Sequence, residues 1–232
     1  MIAGLALAVD SQNIVGYQQY SLNAGQFYMV GVQFGAVGTA EGIPMKDLVT
    51  GTIPYGTQIQ ILKASGASYD IYTYIAEAYD ESVDDFVPGW ANGQEDLCTT
   101  PIIAGTCFWL KSDSAATVQI AGQVLASSAP LTATGGQFNM VANPYPVALN
   151  PTDDVAWTGL TYGDQMQVLK ASGASYDIYT YLAEAYDESV DDFVPGWANG
   201  QEDKVHSGIV PVGAGCWVYP ASNLTITFTS PL

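Results

Sequence analysis

The chain predicts an all-β protein built from two tandem, homologous, β-sandwich-like modules preceded by an N-terminal extension strand. Three observations carry that expectation. One long block occurs twice, short β-branched and aromatic runs are bounded by Gly, Pro and Ser, and the last of these runs alternates with a period of two.

The repeat is the clearest signal. Residues 58–96 recur at 165–203 with a constant offset of 107, and 36 of the 39 positions match. Positions 59, 61 and 75 differ only by exchange of apolar residues. Weaker homology flanks the block. Gly25-Gln-Phe-Tyr-Met-Val30 answers Gly136-Gln-Phe-Asn-Met-Val141, and the run Pro101 to Trp109 answers Pro211 to Tyr219. These matches divide the chain into an extension (1–19), module 1 (20–126) and module 2 (131–232). The junction falls within Ser127–Gly136, rich in small and turn residues. A duplication that diverged evenly would not leave near-identity in the middle. The central block was therefore either homogenised later or held by something that both modules do.

Within module 1, Gln58–Lys63 and Tyr69–Ile75 flank the Gly-containing turn Ser65–Ser68 and read as a hairpin. Thr106–Leu110 and Thr117–Ala121 read as a second pair, matched by Cys216–Tyr219 and Leu224–Thr229. The last of these shows the period-two alternation. Short helical turns are expected at Gly42–Val49 and Asp80–Phe86.

Composition narrows the function. Hydrophobic residues make up 48% of the 232, enough for a core, whereas charged residues are 12%, about half the ~25% of ordinary soluble domains. Acids outnumber lysines 23 to 5 and there is no arginine, giving a net charge of −18. Such a surface repels phosphates and anionic lipid, so neither nucleic acid nor a membrane surface is an expected partner. No stretch approaches the ~20 apolar residues of a membrane span. Catalytic parts are missing too. His206 is the single histidine and has no counterpart in module 1, and the nucleophile-elbow, zinc-protease and phosphate-loop motifs are absent. A pair of carboxylates could serve a glycosidase, but that chemistry needs a deep cleft. The chain is read as a non-enzyme that requires no cofactor.

Four groups of residues are candidates for a role. The acids Asp80, Glu81, Asp84 and Asp85 reappear as Asp187, Glu188, Asp191 and Asp192. They are either a calcium site, since calcium takes six to eight oxygen ligands, or a solvated acidic face. Tyr72, Tyr74 and Trp90 reappear as Tyr179, Tyr181 and Trp197. They are either a glycan-binding surface or ordinary cross-strand packing. Cys98 and Cys107 are close enough in sequence for a disulfide, leaving Cys216 over; three reduced, buried thiols are the alternative. Finally, Met1, Ala3, Leu5, Leu7 and Val9 fall on one face of the N-terminal segment if it is a strand. That segment is either the remnant of a signal peptide, with Ala6-Leu7-Ala8 as its cleavage site, or a strand that adds to a neighbour's sheet.

Asn13-Ile-Val-Gly-Tyr17, Gln26-Phe-Tyr-Met-Val30 and Ala104-Gly-Thr-Cys-Phe-Trp-Leu110 resemble the corresponding elements of exported tandem β-repeat proteins of Verrucomicrobia, Lentisphaerae and Planctomycetes. The resemblance implies export and a β fold and attaches no activity. The expectation is therefore a secreted protein of a bacterial cell surface. Its foremost role would be that of a filament or surface-layer subunit that polymerises with copies of itself through head-to-tail strand addition. The alternative is a secreted adhesive or carbohydrate-binding module with two equivalent aromatic–acidic sites.

Overall fold

The computed structural model describes residues 14–38 and 42–232. Strand candidates Met1, Ala3, Leu5, Leu7 and Val9 lie outside them.

The fold is all-β, as the repeat and the strand patterns predict. Module 1 contains β1 (Val15–Leu22), β2 (Phe27–Gly31), β3 (Ile43–Pro44), the single-turn helix α1 (Met45–Leu48), β4 (Thr50–Gly51), β5 (Gln58–Leu62), β6 (Tyr69–Asp80), β7 (Asp85–Ala91), β8 (Pro101–Ile102), β9 (Cys107–Lys111) and β10 (Ala116–Gln123). Module 2 contains β11 (Leu131–Ala133), β12 (Asn139–Ala142), β13 (Val155–Thr158), β14 (Gln165–Leu169), β15 (Tyr176–Asp187), β16 (Asp192–Ala198), β17 (Gly215–Tyr219) and β18 (Leu224–Phe228). In module 1 a five-stranded sheet (β2-β9-β5-β6-β7) faces a three-stranded sheet (β1-β10-β4), with β3 and β8 as a small separate pair. Module 2 repeats the two main sheets as β12-β17-β14-β15-β16 and β11-β18-β13. Every named strand pair is antiparallel.

Each core forms between its two sheets from alternate side chains. In module 1, Leu22, Val118 and Ile120 of the small sheet meet Val30, Ile59, Trp90, Phe108 and Leu110 of the large one. In module 2, Ala133, Leu224 and Ile226 meet Val141, Met166, Trp197, Cys216 and Val218.

Four expectations are corrected. The segments Thr106–Leu110 and Thr117–Ala121 do form strands, but they do not pair. Strand β9 bonds β2 and β5, whereas β10 bonds β1 and β4 in the opposite sheet. The same holds for β17 and β18. The short link between each such pair crosses from one sheet to the other, because both strands carry apolar residues that need opposite walls of one core. Asp80–Phe86 is a hairpin turn joining two strands, not a helical turn, while Gly42–Val49 does contain α1. The boundary at 19/20 falls inside β1, which pairs with β10 from Val15 onward. Lastly, strand register sets Trp109 opposite Gln60 and Trp217 opposite Gln167, so Trp109 corresponds to Trp217 rather than Tyr219. Gly105 and Gly213 then coincide, and both have positive φ (90° and 78°).

That register exposes a pseudo-twofold relation between the modules. The β2–β9 face of module 1 packs on the β12–β17 face of module 2. Met29 and Cys107 meet Ala142, with Trp109, Met140 and Trp217 closing around them. The equivalent indoles of Trp109 and Trp217 meet edge to face, 6.2 Å between centroids. Main-chain contacts are reciprocal. Gly31 N donates to Gly213 O (2.8 Å), and its counterpart Ala142 N donates to Gly105 O (3.2 Å). Gln137 reaches the Gly66 turn of module 1, donating to Ala64 O at 3.1 Å, and Gln26 lies against the Gly173 turn of module 2. This interface explains why β9 and β17 read as nearly unbroken apolar runs: one face serves the core and the other the partner module.

Two glycines set the distance of approach. A methyl group on Gly31 would come within 2.5 Å of the Ala142 Cβ and 2.9 Å of the Ala214 carbonyl oxygen. One on Gly215 would overlap the Cys107 sulfur. Overpacking of this kind typically costs about 1–3 kcal/mol. Gly31→Ala should lower stability to urea by that amount, whereas Gly200→Ala, where a Cβ meets nothing within 4 Å, should leave the midpoint unchanged.

Candidate functional site

The repeated block folds as β5–β6–β7 in module 1 and β14–β15–β16 in module 2. The first hairpin is regular. Beyond it, β6 and β15 run on to Asp80 and Asp187, farther than the sequence indicates, and each carries a bulge, between Ile75 and Ala78 and between Leu182 and Ala185. The outer ends project as two arms whose tips expose Val83 and Phe86, and Val190 and Phe193, each about 60% accessible. Strands β7 and β16, which the sequence patterns did not indicate, contain Pro88-Gly89 and Pro195-Gly196. Proline is tolerated there because both are edge strands.

The acids at these tips shape the turns. Asp80 accepts from Ser82 N (2.9 Å) and Ser82 Oγ (2.6 Å), and these bonds hold its carboxyl below the usual carboxylate range. Asp84 takes the left-handed φ of 53° that Asp adopts more readily than most residues, and accepts from Tyr79 Oη at 2.7 Å. Asp85 accepts from Phe86 N. Module 2 repeats the set through Asp187, Asp191 and Asp192. Among the described residues no three His, Cys, Asp or Glu side chains converge to hold a metal. Of the eight acids expected as either calcium ligands or a solvated face, Asp80, Glu81, Asp84, Asp85, Asp187, Glu188, Asp191 and Asp192, several close the hairpins at the arm tips.

Asp187 differs from its twin. It is buried, and besides Ser189 it meets Lys204 Nζ (3.0 Å) and His206 Nε2 (2.9 Å), where module 1 has Leu97 and Thr99. The serine hydroxyl and then the lysine drive its carboxyl far below the ordinary range.

The aromatics are corrected in part. Trp90 and Trp197 are enclosed in the two cores, 0% and 1% accessible, and form no exposed ligand surface. Tyr72 and Tyr74, like Tyr179 and Tyr181, are half-buried and pack against those cores. Tyr74 and Tyr181 each stack under an exposed tyrosine, Tyr55 and Tyr162, at 5.8 and 5.6 Å with rings 12° from parallel. Neither Tyr55 nor Tyr162 lies in the repeated block, so the repeat alone did not reveal them.

A cavity of about 280 Å³ opens beside Trp197, walled by Tyr181, Trp157, Leu160 and the Pro151-Thr152 turn. Trp157 Nε1 donates to Pro151 O at 2.6 Å, which fixes that wall. The indole N–H groups of Trp90 and Trp197 are buried without a partner among the described residues.

The proposed Cys98–Cys107 disulfide is also corrected. All three cysteines are free and buried. Cys98 belongs to the core of module 1, Cys107 points into the module interface, and Cys216 takes the core position that Phe108 holds in module 1. Burial pushes the Cys216 thiol up to about 12 and Cys107 well above its normal value, so neither is a nucleophile at neutral pH.

No protein-family model matches the chain, and no curated protein and no solved structure was found to match it. Among the described residues no helix is long and apolar enough to cross a membrane.

Two measurements follow from this geometry. Without reductant, a thiol reagent should find no reactive cysteine in the native protein and three per chain after denaturation. Asp187→Asn should lower the melting temperature at pH 7 more than Asp80→Asn does. A carboxyl with a lowered folded pKa contributes stability above its unfolded value near 3.9, and that contribution fades as pH falls. The gap between wild type and Asp187→Asn should therefore be constant above about pH 5 and narrow below about pH 4.

Proposed function

We propose that the chain is an extracellular structural protein, a subunit that assembles into a filament or surface layer by head-to-tail β-strand addition. One observation carries this reading: β1 is a long edge strand without proline, bulge or charged side chain. It pairs with β10 over eight residues without a bulge, while its other edge pairs with no strand among the described residues.

The remaining edges are managed in ways that discourage pairing. Strands β7 and β16 contain Pro88 and Pro195 and bulged registers, and Trp90 O and Trp197 O already accept from Cys98 N and Val205 N. Edges β2 and β12 are partly covered by the opposite module through Gly31 and Ala142. Edges β4, β11 and β13 are two to four residues long.

Charge supports the same edge. In a chain of net charge −18, none of β1, β10 and β4 contains an Asp, Glu, Lys, Arg or His, and neither does the segment 1–9. Ile14, Val15 and Tyr17 are exposed there, beside Val37. An uncharged apolar strand can therefore approach β1 without the repulsion that the acidic arms would impose. Module 2 offers only the three-residue β11 at the equivalent place, so each chain has one acceptor edge. One donor and one acceptor make a heterologous contact, which builds an open chain of subunits. A structural role also accords with the sparse catalytic inventory: a single histidine and three buried thiols.

Negative-stain electron microscopy of the native protein tests the reading. Filaments should form with the full chain and be lost in a chain lacking residues 1–10. They should be lost equally in Tyr17→Lys, which places a charge on the β1 edge and leaves the melting temperature unchanged. Discrete two-lobed particles at every concentration would overturn it.

A further inference from the structure

Apart from any assembly, we propose that module 2 carries a binding site for one neutral, hydroxylated ring, the chemistry of a single saccharide residue, in the cavity beside Trp197. The cavity measures about 280 Å³, near the lower end for small-molecule sites and suited to one ring rather than an extended chain. Its walls are aromatic on several sides. The Trp157 and Trp197 rings lie 5.3 Å apart at 55°, and Tyr181 meets Trp197 at 5.8 Å, backed by the stacked ring of Tyr162. The C–H faces of a sugar ring pack on such surfaces while its hydroxyls stay at the rim.

The polar groups specify the ligand further. None of the residues lining the cavity is charged, although the chain carries 23 acids, so the ligand is neutral. Trp197 lines the cavity and its buried Nε1–H has no acceptor, a group that normally finds a partner. Thr152 Oγ1 gives its proton to Val205 O at 3.2 Å, which leaves its lone pairs able to accept from a ligand hydroxyl. An acceptor beside aromatic rings in one small cavity matches a group that presents hydroxyls and C–H faces together, as a sugar ring does.

The comparison between modules separates this site from mere repetition. Trp90 Nε1 is likewise unpartnered, so the orphan donor by itself does not distinguish module 2. The opposite wall does. Strand register places Val49 of module 1 where module 2 has Trp157, and Val49 is packed with Met45 and Leu48 of α1 in the same core as Trp90. Module 2 has no helix there, and the Pro151-Thr152 turn stands off from Trp197.

The test uses indole N–H resonances of the ¹⁵N-labelled full-length Tyr17→Lys chain, so that its outcome does not depend on polymerisation. The chain has five tryptophans, hence five indole signals, assigned by single Trp→Phe exchanges. Glucose, galactose, mannose and N-acetylglucosamine are each titrated to about 50 mM, since a site for one ring is expected to bind with a Kd of roughly 0.1–10 mM. With at least one sugar, the Trp197 and Trp157 signals should move along a saturating curve while Trp90 stays fixed. Trp157→Val, the module 1 residue, should weaken that binding at least tenfold. Should that variant not fold, Leu160→Trp, which fills the cavity, takes its place with the same expectation. The proposal is overturned if no sugar gives a saturable Trp197 shift, if Trp90 and Trp197 move alike, or if the folded variant binds as wild type does.

Discussion

Much of this molecule follows from how closely two β-sheets can approach at Gly31 and Gly215. Without side chains at those points, β2 and β9 settle against β12 and β17, and Trp109 meets Trp217 across the seam. A sheet that is buried on both faces cannot slip in register without exposing one apolar set and burying another. The interface therefore fixes the register of each five-stranded sheet, and through it the direction in which both hairpin arms project. It also partly covers the β2 and β12 edges, whereas β1 pairs on one side only among the described residues.

The fold class was legible in the sequence, because the signals for it are local. The repeat, the Gly-containing turns and the alternation of Leu224–Thr229 each correspond to an element. Pairing was less legible. Strands β9 and β10 are consecutive and both apolar, yet they line opposite walls of one core, and nothing in their sequences marks the crossing. The correspondence of Trp109 with Trp217 was hidden for a similar reason. Short Gly-rich links shift the offset between modules by a residue or two, and the aligned letters favoured a different match.

The candidate sites were legible as residue types and much less so as places. Tyr72, Tyr74 and Trp90 stood out as aromatic beside acidic residues, but accessibility depends on which face of a strand meets the core. Here the two tryptophans went inside and the tyrosines to the margin. The cavity beside Trp197 needs Trp157 and Leu160, which lie outside the repeated block and far from Trp197 in sequence. The acids illustrate the converse. Their clustering left a shared ligand or a solvated face open, and the structure adds a local role: a run of Asp and Ser in a tight turn bonds to its own backbone and neighbours. The two modules thus keep one frame and differ in what stands opposite it: Leu97 against Lys204, Val49 against Trp157.

The reciprocal contacts between the modules bear on the peptide that joins them. Each half already specifies its orientation to the other, so the link near Ser127–Pro130 contributes proximity, not geometry. A short link of this kind holds two surfaces at an effective concentration in the millimolar range, enough to keep a modest interface closed. The same complementarity has a second face. Because a module recognises the other by surface and not by chain, two molecules that open together can close with exchanged halves, each making every native contact.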